Sequence, residues 1–302
     1  IRALISTKSL LTCSHSIVGK TVAAALVAEG LPVRFTSHAE DLGVSGAAGG
    51  KRSVASTLKR LRKSRVRGRR VGFLSRQVKG AARRKAERLA ITGVLPEHSY
   101  GHLCQGLSPT AIRDSRSAVL ACLSSLGFKP CTTTTIAWKL GQQHDPAVWA
   151  PTKQIARWAR LWAESSLSMR SSLRSAWHCA RASLFSMRLK ERWRSVKGPI
   201  GVTISYLLQF AWHPTEPDVW YTPGRRESAH HAGSFSAAQE VSEAFHQAAL
   251  RHSWRSAALH FGGAGLETGI PDLSGAHDAR RHLLRNELWS LIPSLDAVVC
   301  GG

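Results

Sequence analysis

The chain has 302 residues and is strongly basic, with 42 Lys and Arg against 19 Asp and Glu, a formal net charge of +23 at pH 7. This imbalance is too large for a typical enzyme acting on small neutral molecules, and it indicates a polyanionic partner whose phosphates would neutralise the charge. No stretch approaches the roughly 18 uninterrupted apolar residues that a membrane span requires. The composition therefore predicts a soluble protein that associates with nucleic acid.

The two termini carry no recognisable targeting signal. The chain begins at Ile1 without a Met and ends on Cys300-Gly301-Gly302. The basic residues continue well past residue 50, unlike those of a mitochondrial presequence. We therefore expect a piece of a longer polypeptide, long enough for two domains or one large one.

The six cysteines are spread over the whole length, without a Cys-x-x-Cys pair or a tight cluster with His. This spacing supports neither a disulfide framework nor a zinc site. It predicts reduced, mostly buried thiols in an intracellular protein. We expect that protein to belong to a nuclear or cytoplasmic ribonucleoprotein. The cysteines are Cys13, Cys104, Cys122, Cys131, Cys179 and Cys300.

The first fifty residues predict a β-α-β-β segment, typical of the edge of an α+β domain. The apolar run Leu10–Cys13 precedes a helical pattern that stops at Gly30, a suitable C-terminal cap. Leu31–Phe35 and Asp41–Val44 are predicted strands. The apolar face of the helix would consist of Ile17, Val18, Val22 and Leu26.

A glycine-rich joint, Ser45–Gly50, precedes the most basic part of the chain, Lys51–Leu89. The pattern there predicts two amphipathic helices with basic outer faces, broken near Gly68–Gly72. Their apolar stripes would be Leu58 with Leu61, and Leu74 with Val78, Ala82 and Leu89.

The rest of the chain is predicted to be mostly helical, with loop-rich connections. The predicted connections are Thr92–Gly106, Pro130–Pro151, Pro214–Gly233 and Gly262–Gly275. One helix should begin at Ser108-Pro109, with Ile112, Val119, Cys122 and Leu126 on its apolar face. Further helices are predicted around Ile155–Trp162, Leu173–Met187, Val241–Leu259 and Ala279–Leu291.

The chain contains no complete catalytic motif. Gly19-Lys20-Thr21 resembles the end of a phosphate-binding loop, but position 14 is Ser where that loop needs Gly, so a surface Lys on a helix is expected. Neither a nucleophile elbow nor a His-Glu-x-x-His motif occurs. Fourteen scattered histidines suggest no metal ligand set, and no cofactor is predicted for this chain.

The basic block is the strongest functional signal, because solvated charged faces usually mix both signs and this one does not. Such a block favours contact with phosphates, which positions a nucleic-acid backbone without reading its sequence. The candidate nucleic-acid contacts are Lys51, Arg52, Lys59, Arg60, Arg62, Lys63, Arg65, Arg67, Arg69, Arg70, Arg76, Lys79, Arg83, Arg84 and Lys85.

Ten tryptophans are many for this length, and several alternate with Arg and Lys. Stacking on unpaired bases would use such residues. The helical spacing of Trp158 and Trp162 favours instead a structural role in the core for most of them.

The order of these features resembles the part of a non-LTR (LINE-type) retrotransposon reverse transcriptase that follows the catalytic aspartates. Thr7-Lys8-Ser9 precedes the first strand, and Asp41-Leu42-Gly43-Val44 precedes the glycine-rich joint. The basic stretch is followed by Val94-Leu95-Pro96 and Tyr100-Gly101-His102. The resemblance covers residues 5–106 and only loosely extends beyond.

The resemblance implies a palm-end segment over 1–45, a basic helical thumb over 46–106, a helical linker over 107–222 and a C-terminal helical region over 223–302. It makes Lys8 the candidate palm lysine that assists nucleotide addition. It assigns Leu42, Gly43 and Val44 to the primer-grip end of the palm. The implied partners are RNA, DNA and an upstream palm and fingers domain, and no membrane is expected.

The paired aspartates that hold two magnesium ions in that family do not occur in this sequence. Magnesium is therefore expected for the parent RNA-directed DNA polymerase, and this chain alone is expected to be inactive. Two alternatives stay open: a stand-alone basic RNA-binding protein, and a non-functional retroelement relic that does not fold cooperatively.

Overall fold

A computed structural model describes residues 9–13, 15–41, 44–47, 51–78, 80–123, 130–222, 228–260 and 269–300. Over these ranges the chain is mostly helical, with three small sheets. Lys8, Leu42, Gly43 and Lys79, to which the sequence assigns functions, lie outside the described residues.

The helices vary from single turns to seven turns. Their bounds are α1 Ser16–Ala28, α2 Ala55–Gln77, α3 Gly80–Leu89, α4 Leu95–Ser99, α5 His102–Gln105, α6 Pro109–Leu120, α7 Thr132–Leu140, α8 Pro146–Glu164, α9 Leu167–Phe185, α10 Leu189–Ser195, α11 Gly198–Gln209, α12 Phe235–His260, α13 Ser274–Arg285 and α14 Ile292–Cys300. A π-helical turn, Ala90–Val94, joins α3 to α4, and 3-10 turns cover Gln142–His144 and Trp289–Leu291.

The strands form three separate sheets. Their bounds are β1 Leu10–Thr12, β2 Arg34–Thr36, β3 His38–Asp41, β4 Val44–Ala47, β5 His213–Pro214, β6 Val219–Thr222 and β7 Ser228–His231. β1 and β2 pair in parallel with Leu11 opposite Phe35, and β3 and β4 pair antiparallel. β5, β6 and β7 form an antiparallel sheet.

The N-terminal β-α-β unit follows the predicted order. α1 ends before Gly30, whose φ of +79° is the left-handed conformation expected at a helix C-terminus, and Leu31 N–H donates to Leu26 C=O at 2.9 Å. The predicted strand Asp41–Val44 is wrong, because Asp41 ends β3 and faces Val44, the first residue of β4, across an antiparallel pair.

The apolar face predicted for α1 is also wrong. Ile17, Val18 and Val22 are 70%, 51% and 42% exposed, and the buried residues are the small Gly19 and Ala23. Close packing against β2 explains the choice of a small residue: a Cβ on Gly19 would lie 2.3 Å from the Phe35 ring.

α2 is one continuous helix of 23 residues, so the break predicted near Gly68–Gly72 is wrong. Both glycines face α6 at the point of closest approach. A Cβ on Gly68 would lie 2.5 Å from Ala118 O, and one on Gly72 would lie 2.0 Å from Ala121 O. The helix-propensity cost of two glycines is therefore offset by contact between two helix backbones.

The leucine stripes predicted for the basic segment are mostly wrong. Leu61 is buried at 3% exposure, but Leu58, Leu74 and Leu89 are exposed. Small residues and Val71 fill the buried side of α2, because only short side chains fit where α6 approaches closely.

The largest hydrophobic cluster packs around α8, α11 and α12. Its bulkiest buried members are the tryptophans, all at most 3% exposed: Trp158, Trp162, Trp177, Trp212 and Trp220. The cluster extends from Leu61 in α2 to Phe245 in α12. It therefore joins residues from three of the regions that the resemblance separates.

The later helices match the sequence in part. Helices predicted from Ser108, around Ile155–Trp162, Leu173–Met187 and Val241–Leu259 are present as α6, α8, α9 and α12. The helix predicted at Ala279–Leu291 begins earlier, as α13, and gives way to a 3-10 turn. The buried apolar face of α6 has Ile112, Val119 and Cys122, as predicted, whereas Leu126 is outside the described residues.

Three of the predicted loop regions are instead ordered elements. Thr92–Gly106 forms most of the π-helical turn and the short helices α4 and α5. Pro130–Pro151 contains α7 and the start of α8, and Pro214–Gly233 contains β6 and β7. Buried neighbours explain the difference, since Ile136 and Trp220 are fully buried within segments whose composition is typical of loops.

Candidate nucleic-acid interface

α2 presents one face to the protein and the opposite face to solvent. Ser64, Gly68 and Ser75 lie on the buried face with Leu61 and Val71. At about 1.5 Å per residue the helix is about 34 Å long, so its outer face is a long ridge.

The outer face of α2 carries a row of unpaired cations, which we call the α2 ridge. Its positions are related by steps of three, four or seven residues, so the side chains share one side of the helix. Within the described ranges none of them makes a hydrogen bond or an ion pair. The ridge cations are Lys59, Arg62, Lys63, Arg69, Arg70 and Arg76, all exposed.

α3 packs against α2 and extends the basic surface. Arg84, Lys85 and Arg88 are exposed there, again without a partner among the described residues. Arg88 is absent from the candidates named from the sequence, although it simply continues the basic run.

Other cations of the block are engaged within the protein. Arg67 Nη1 lies 3.1 Å from Glu97 Oε2 and donates to Gly93 C=O at 2.8 Å. Arg65 forms an ion pair with Asp114 on α6, and Arg83 lies 3.8 Å from Glu87. Arg65 and Arg67 thus fasten α2 to its neighbours, and Arg83 pairs within α3, so these three side chains are poorer candidates for phosphate contact.

Two arginines near the start of the block contact aromatic rings. Arg60 donates to Tyr100 C=O at 3.2 Å and lies 4.8 Å from the Tyr100 ring centre. Arg52 donates to Gln105 C=O at 2.6 Å, with its guanidinium 5.6 Å from the Trp193 ring centre. Both side chains are half-buried, whereas Lys51 beside them is exposed.

Two apolar side chains stand among the ridge cations. Phe73 is 61% exposed and Val66 is 50% exposed. An exposed aromatic ring in a row of cations can contact a sugar or base edge once the phosphates are held. The sequence identified Leu74 as part of an apolar stripe and did not single out Phe73.

The polar contacts beneath the ridge are neutral. Ser64 Oγ lies 2.9 Å from His98 Nδ1 on α4. Burial, and in second place the neighbouring His102, lowers the pKa of His98 to about 4. His98 therefore adds no charge to the interface at neutral pH.

The described end of the primer-grip candidate packs directly on the base of α2. Val44 lies against Gly101, where a Cβ would meet Val44 Cγ2 at 2.9 Å. The next residue, Ser45, donates its hydroxyl to Ser56 Oγ at 2.6 Å. Val44, Arg52 and Gln105 line a common cleft of about 260 Å³.

The tryptophans that alternate with basic residues are mainly structural. Trp138, Trp158, Trp162 and Trp177 are at most 2% exposed and are not available to stack on bases. Trp149 and Trp193 are half-buried and pack on His102 and Tyr206 respectively.

Three other predictions concern a lysine, the cysteines and a metal site. Lys20 is an exposed residue of α1, as expected for a surface lysine. All six cysteines are free, but only Cys122, Cys131 and Cys300 are buried. The prediction that most of the thiols are buried therefore overestimates their burial. Among the residues placed in the structure, no three His, Cys, Asp or Glu side chains are grouped as a metal site would require.

Comparison of the chain with protein-family models, curated proteins and solved structures finds no match. None of the described helices combines the length and apolar character needed to cross a membrane.

Proposed function

We propose that this chain grips a nucleic-acid duplex through the α2 ridge and the exposed cations of α3. The observation that carries the proposal is a row of six exposed Lys and Arg side chains that have no partners among the described residues. Phosphates would neutralise this row and release condensed counterions, which makes binding strong and salt-dependent. Contacts of this kind fix the position of a duplex and are indifferent to its sequence.

The proposal places this grip in a retrotransposon-encoded RNA-directed DNA polymerase. α2 and α3 would be its thumb, β1–β4 the end of its palm, with Leu42, Gly43 and Val44 at the primer grip, and the later helices its linker. Lys8 would be the palm lysine. The aspartates and magnesium ions of the reaction would belong to an upstream palm and fingers domain, so this chain alone binds without polymerising.

The contact between β4 and α2 supports this arrangement. Ser45 and Ser56 are joined by a buried hydrogen bond, and the Gln105 amide donates to Ser45 C=O. These bonds tie the end of the N-terminal segment to the base of the ridge. A duplex lying along the ridge would then be positioned relative to the palm by a rigid connection.

A salt titration tests the proposal. Affinity for an RNA–DNA hybrid of about 20 base pairs would be measured over a range of salt concentrations. In the triple variant Arg62→Gln, Arg69→Gln, Arg70→Gln, we expect the slope of log affinity against log salt to become shallower by about 2 to 3. Affinity at low salt should fall at least about tenfold.

The matched control removes the same charge elsewhere. Arg157→Gln, Arg188→Gln and Arg285→Gln replace exposed arginines that have no ion pair among the described residues and lie outside α2 and α3. The control should keep the wild-type slope. If both triple variants lost the same affinity, net charge alone would explain binding and the α2 ridge would have no special role. If the affinity of the wild-type chain did not depend on salt concentration, phosphate contact would be excluded.

The same titration, repeated with a folded RNA, tests the alternative that the chain is a stand-alone RNA-binding protein. Such a protein would prefer folded RNA to the hybrid at every salt concentration. A polymerase thumb would bind the hybrid at least as tightly, because it holds a template–primer duplex through its backbone.

A further inference from the structure

A second basic site lies away from α2, in a cleft of about 710 Å³ between the C-terminal end of α11, the β6–β7 hairpin and α12. Its volume is in the range of pockets that hold small ligands. None of its lining residues belongs to the α2 ridge.

Aromatic rings form the inner part of the cleft. His230 stacks on Trp212, with ring centres 4.5 Å apart and planes inclined by 18°. Phe210 meets His252 edge-on at 5.0 Å. Burial is the largest cause that lowers the pKa of both His230 and His252, which keeps the two imidazoles neutral and apolar at neutral pH.

Two arginines form the outer part. Arg251 and Arg255 lie one turn apart on α12, so they share one side of the helix, and both are exposed. Neither makes a hydrogen bond or an ion pair with any residue that the structure places. Like charges at this spacing repel each other, and a bound anion would relieve the repulsion.

The cleft also offers hydrogen-bonding groups that suit the edge of a base. Gln209 and Gln247 line it, and Gln247 Nε2 donates to Glu243 Oε1 at 2.9 Å, while Gln247 Oε1 accepts no hydrogen bond in the described part of the chain. An amino group of a base would give that oxygen a partner. No carboxylate is among the described residues that line the cleft.

We propose that this cleft holds one nucleotide of a single-stranded nucleic acid, with the base against the His230 ring, which the buried Trp212 supports from behind, and the adjoining phosphate on Arg251 and Arg255. Stacking on rings combined with a cationic rim is the usual means of holding unpaired strands. This site is separate from the proposed duplex grip, and each can fail without the other.

Photo-crosslinking locates the site. A single-stranded oligonucleotide that carries one photoreactive uridine would be crosslinked to the full chain in the presence of excess unlabelled duplex, which occupies the α2 ridge. We expect crosslinked peptides from 209–212, 230 or 247–255. Crosslinks confined to α2 and α3 would overturn the proposal.

Equilibrium binding of the same oligonucleotide, again with excess duplex, tests the two parts of the cleft. The double variant Arg251→Gln, Arg255→Gln should weaken binding about tenfold or more, because each charge-assisted contact contributes substantially. The control Arg157→Gln, Arg285→Gln should not. His230→Ala should weaken binding about fivefold or more, whereas His230→Phe should retain it, because the ring supplies the stacking surface.

A free nucleotide has the same base-and-phosphate chemistry, so adenosine monophosphate serves as the competitor. We expect the strand to bind much more tightly than the monophosphate. If adenosine monophosphate displaced the oligonucleotide at a concentration equal to that of the oligonucleotide, the cleft would be a mononucleotide site and the strand assignment would be overturned. Unchanged affinity in the double arginine variant would likewise overturn the proposal, whatever the α2 ridge does with duplex.

Discussion

Asp296 helps to fasten the last helix to the rest of the molecule, together with Cys300 C=O, which accepts from Cys131 N–H at 3.0 Å. The Asp296 carboxylate accepts a hydrogen bond from Trp138 Nε1 at 2.7 Å and forms an ion pair with Lys139, both on α7, and Arg280 Nε on α13 lies 3.5 Å from Asp296 Oδ1. The Lys139 side chain is 2% exposed and that of Asp296 is 8% exposed. A buried pair of this kind is costly to break, because the remaining charge has no access to water.

We therefore expect Asp296→Asn to lower the free energy of unfolding by about 3 kcal/mol. The matched control is Asp278→Asn, which removes an ion pair with Arg281 whose two side chains are 63% and 68% exposed. Its cost should be below about 1 kcal/mol. Denaturant titration followed by tryptophan fluorescence measures both, and equal small losses would mean that Lys139 reaches water or another partner in the variant.

At the level of elements, the crossing of α2 and α6 determines which side of the basic helix faces solvent. Gly68 and Gly72 allow the two backbones to touch, with Ser64 and Ser75 on the same side. Any side chain at these glycines would push α6 away. The close packing that turns the α2 ridge outward therefore depends on the absence of two Cβ atoms.

Gly72→Ala should destabilise the fold by about 2 to 3 kcal/mol, because its Cβ would lie 2.0 Å from Ala121 O, a backbone atom. The control Gly275→Ala places the same methyl group in α13, where nothing lies within 4 Å. That variant should be neutral or slightly more stable, since alanine restricts the unfolded chain. Thermal denaturation of the two variants makes the comparison, and similar stability for both would show that α6 can move away without cost.

Across the whole molecule, one hydrophobic cluster connects distant parts of the sequence. It contains Leu61 beneath the α2 ridge, Trp158 and Trp177 in the helical middle, and Phe245 on α12. Packing shared in this way makes unfolding cooperative, because losing one part exposes the others.

Thermal unfolding should accordingly be sigmoidal and should coincide when followed by far-ultraviolet circular dichroism and by tryptophan fluorescence. A duplex in excess should move the midpoint upward, since a ligand that binds the folded form stabilises it. A gradual loss of signal without a transition would instead support a decayed element whose translation does not fold.

The mostly helical character, the position of the basic segment and the start of α6 at Ser108-Pro109 follow from the sequence alone. Charge composition and helical periodicity are local properties, so α6 and helices in the regions of α8, α9 and α12 could be predicted from them, whereas α2 was expected as two helices. The excess of positive charge in Lys51–Lys85 is likewise evident without coordinates.

Which residues of each helix face solvent depends on the packing of the folded chain and could not be predicted from the sequence. Arg65 and Arg69 are alike in the sequence, yet Arg65 pairs with Asp114, 49 residues away, and Arg69 is free of partners among the described residues. Gly68 and Gly72, which resemble a helix break in the sequence, lie where α2 packs against α6. The cleft on α12 joins residues 209–212, 222, 230 and 244–255. Burial and pairing depend on neighbours distant along the chain, and periodicity carries no information about those neighbours.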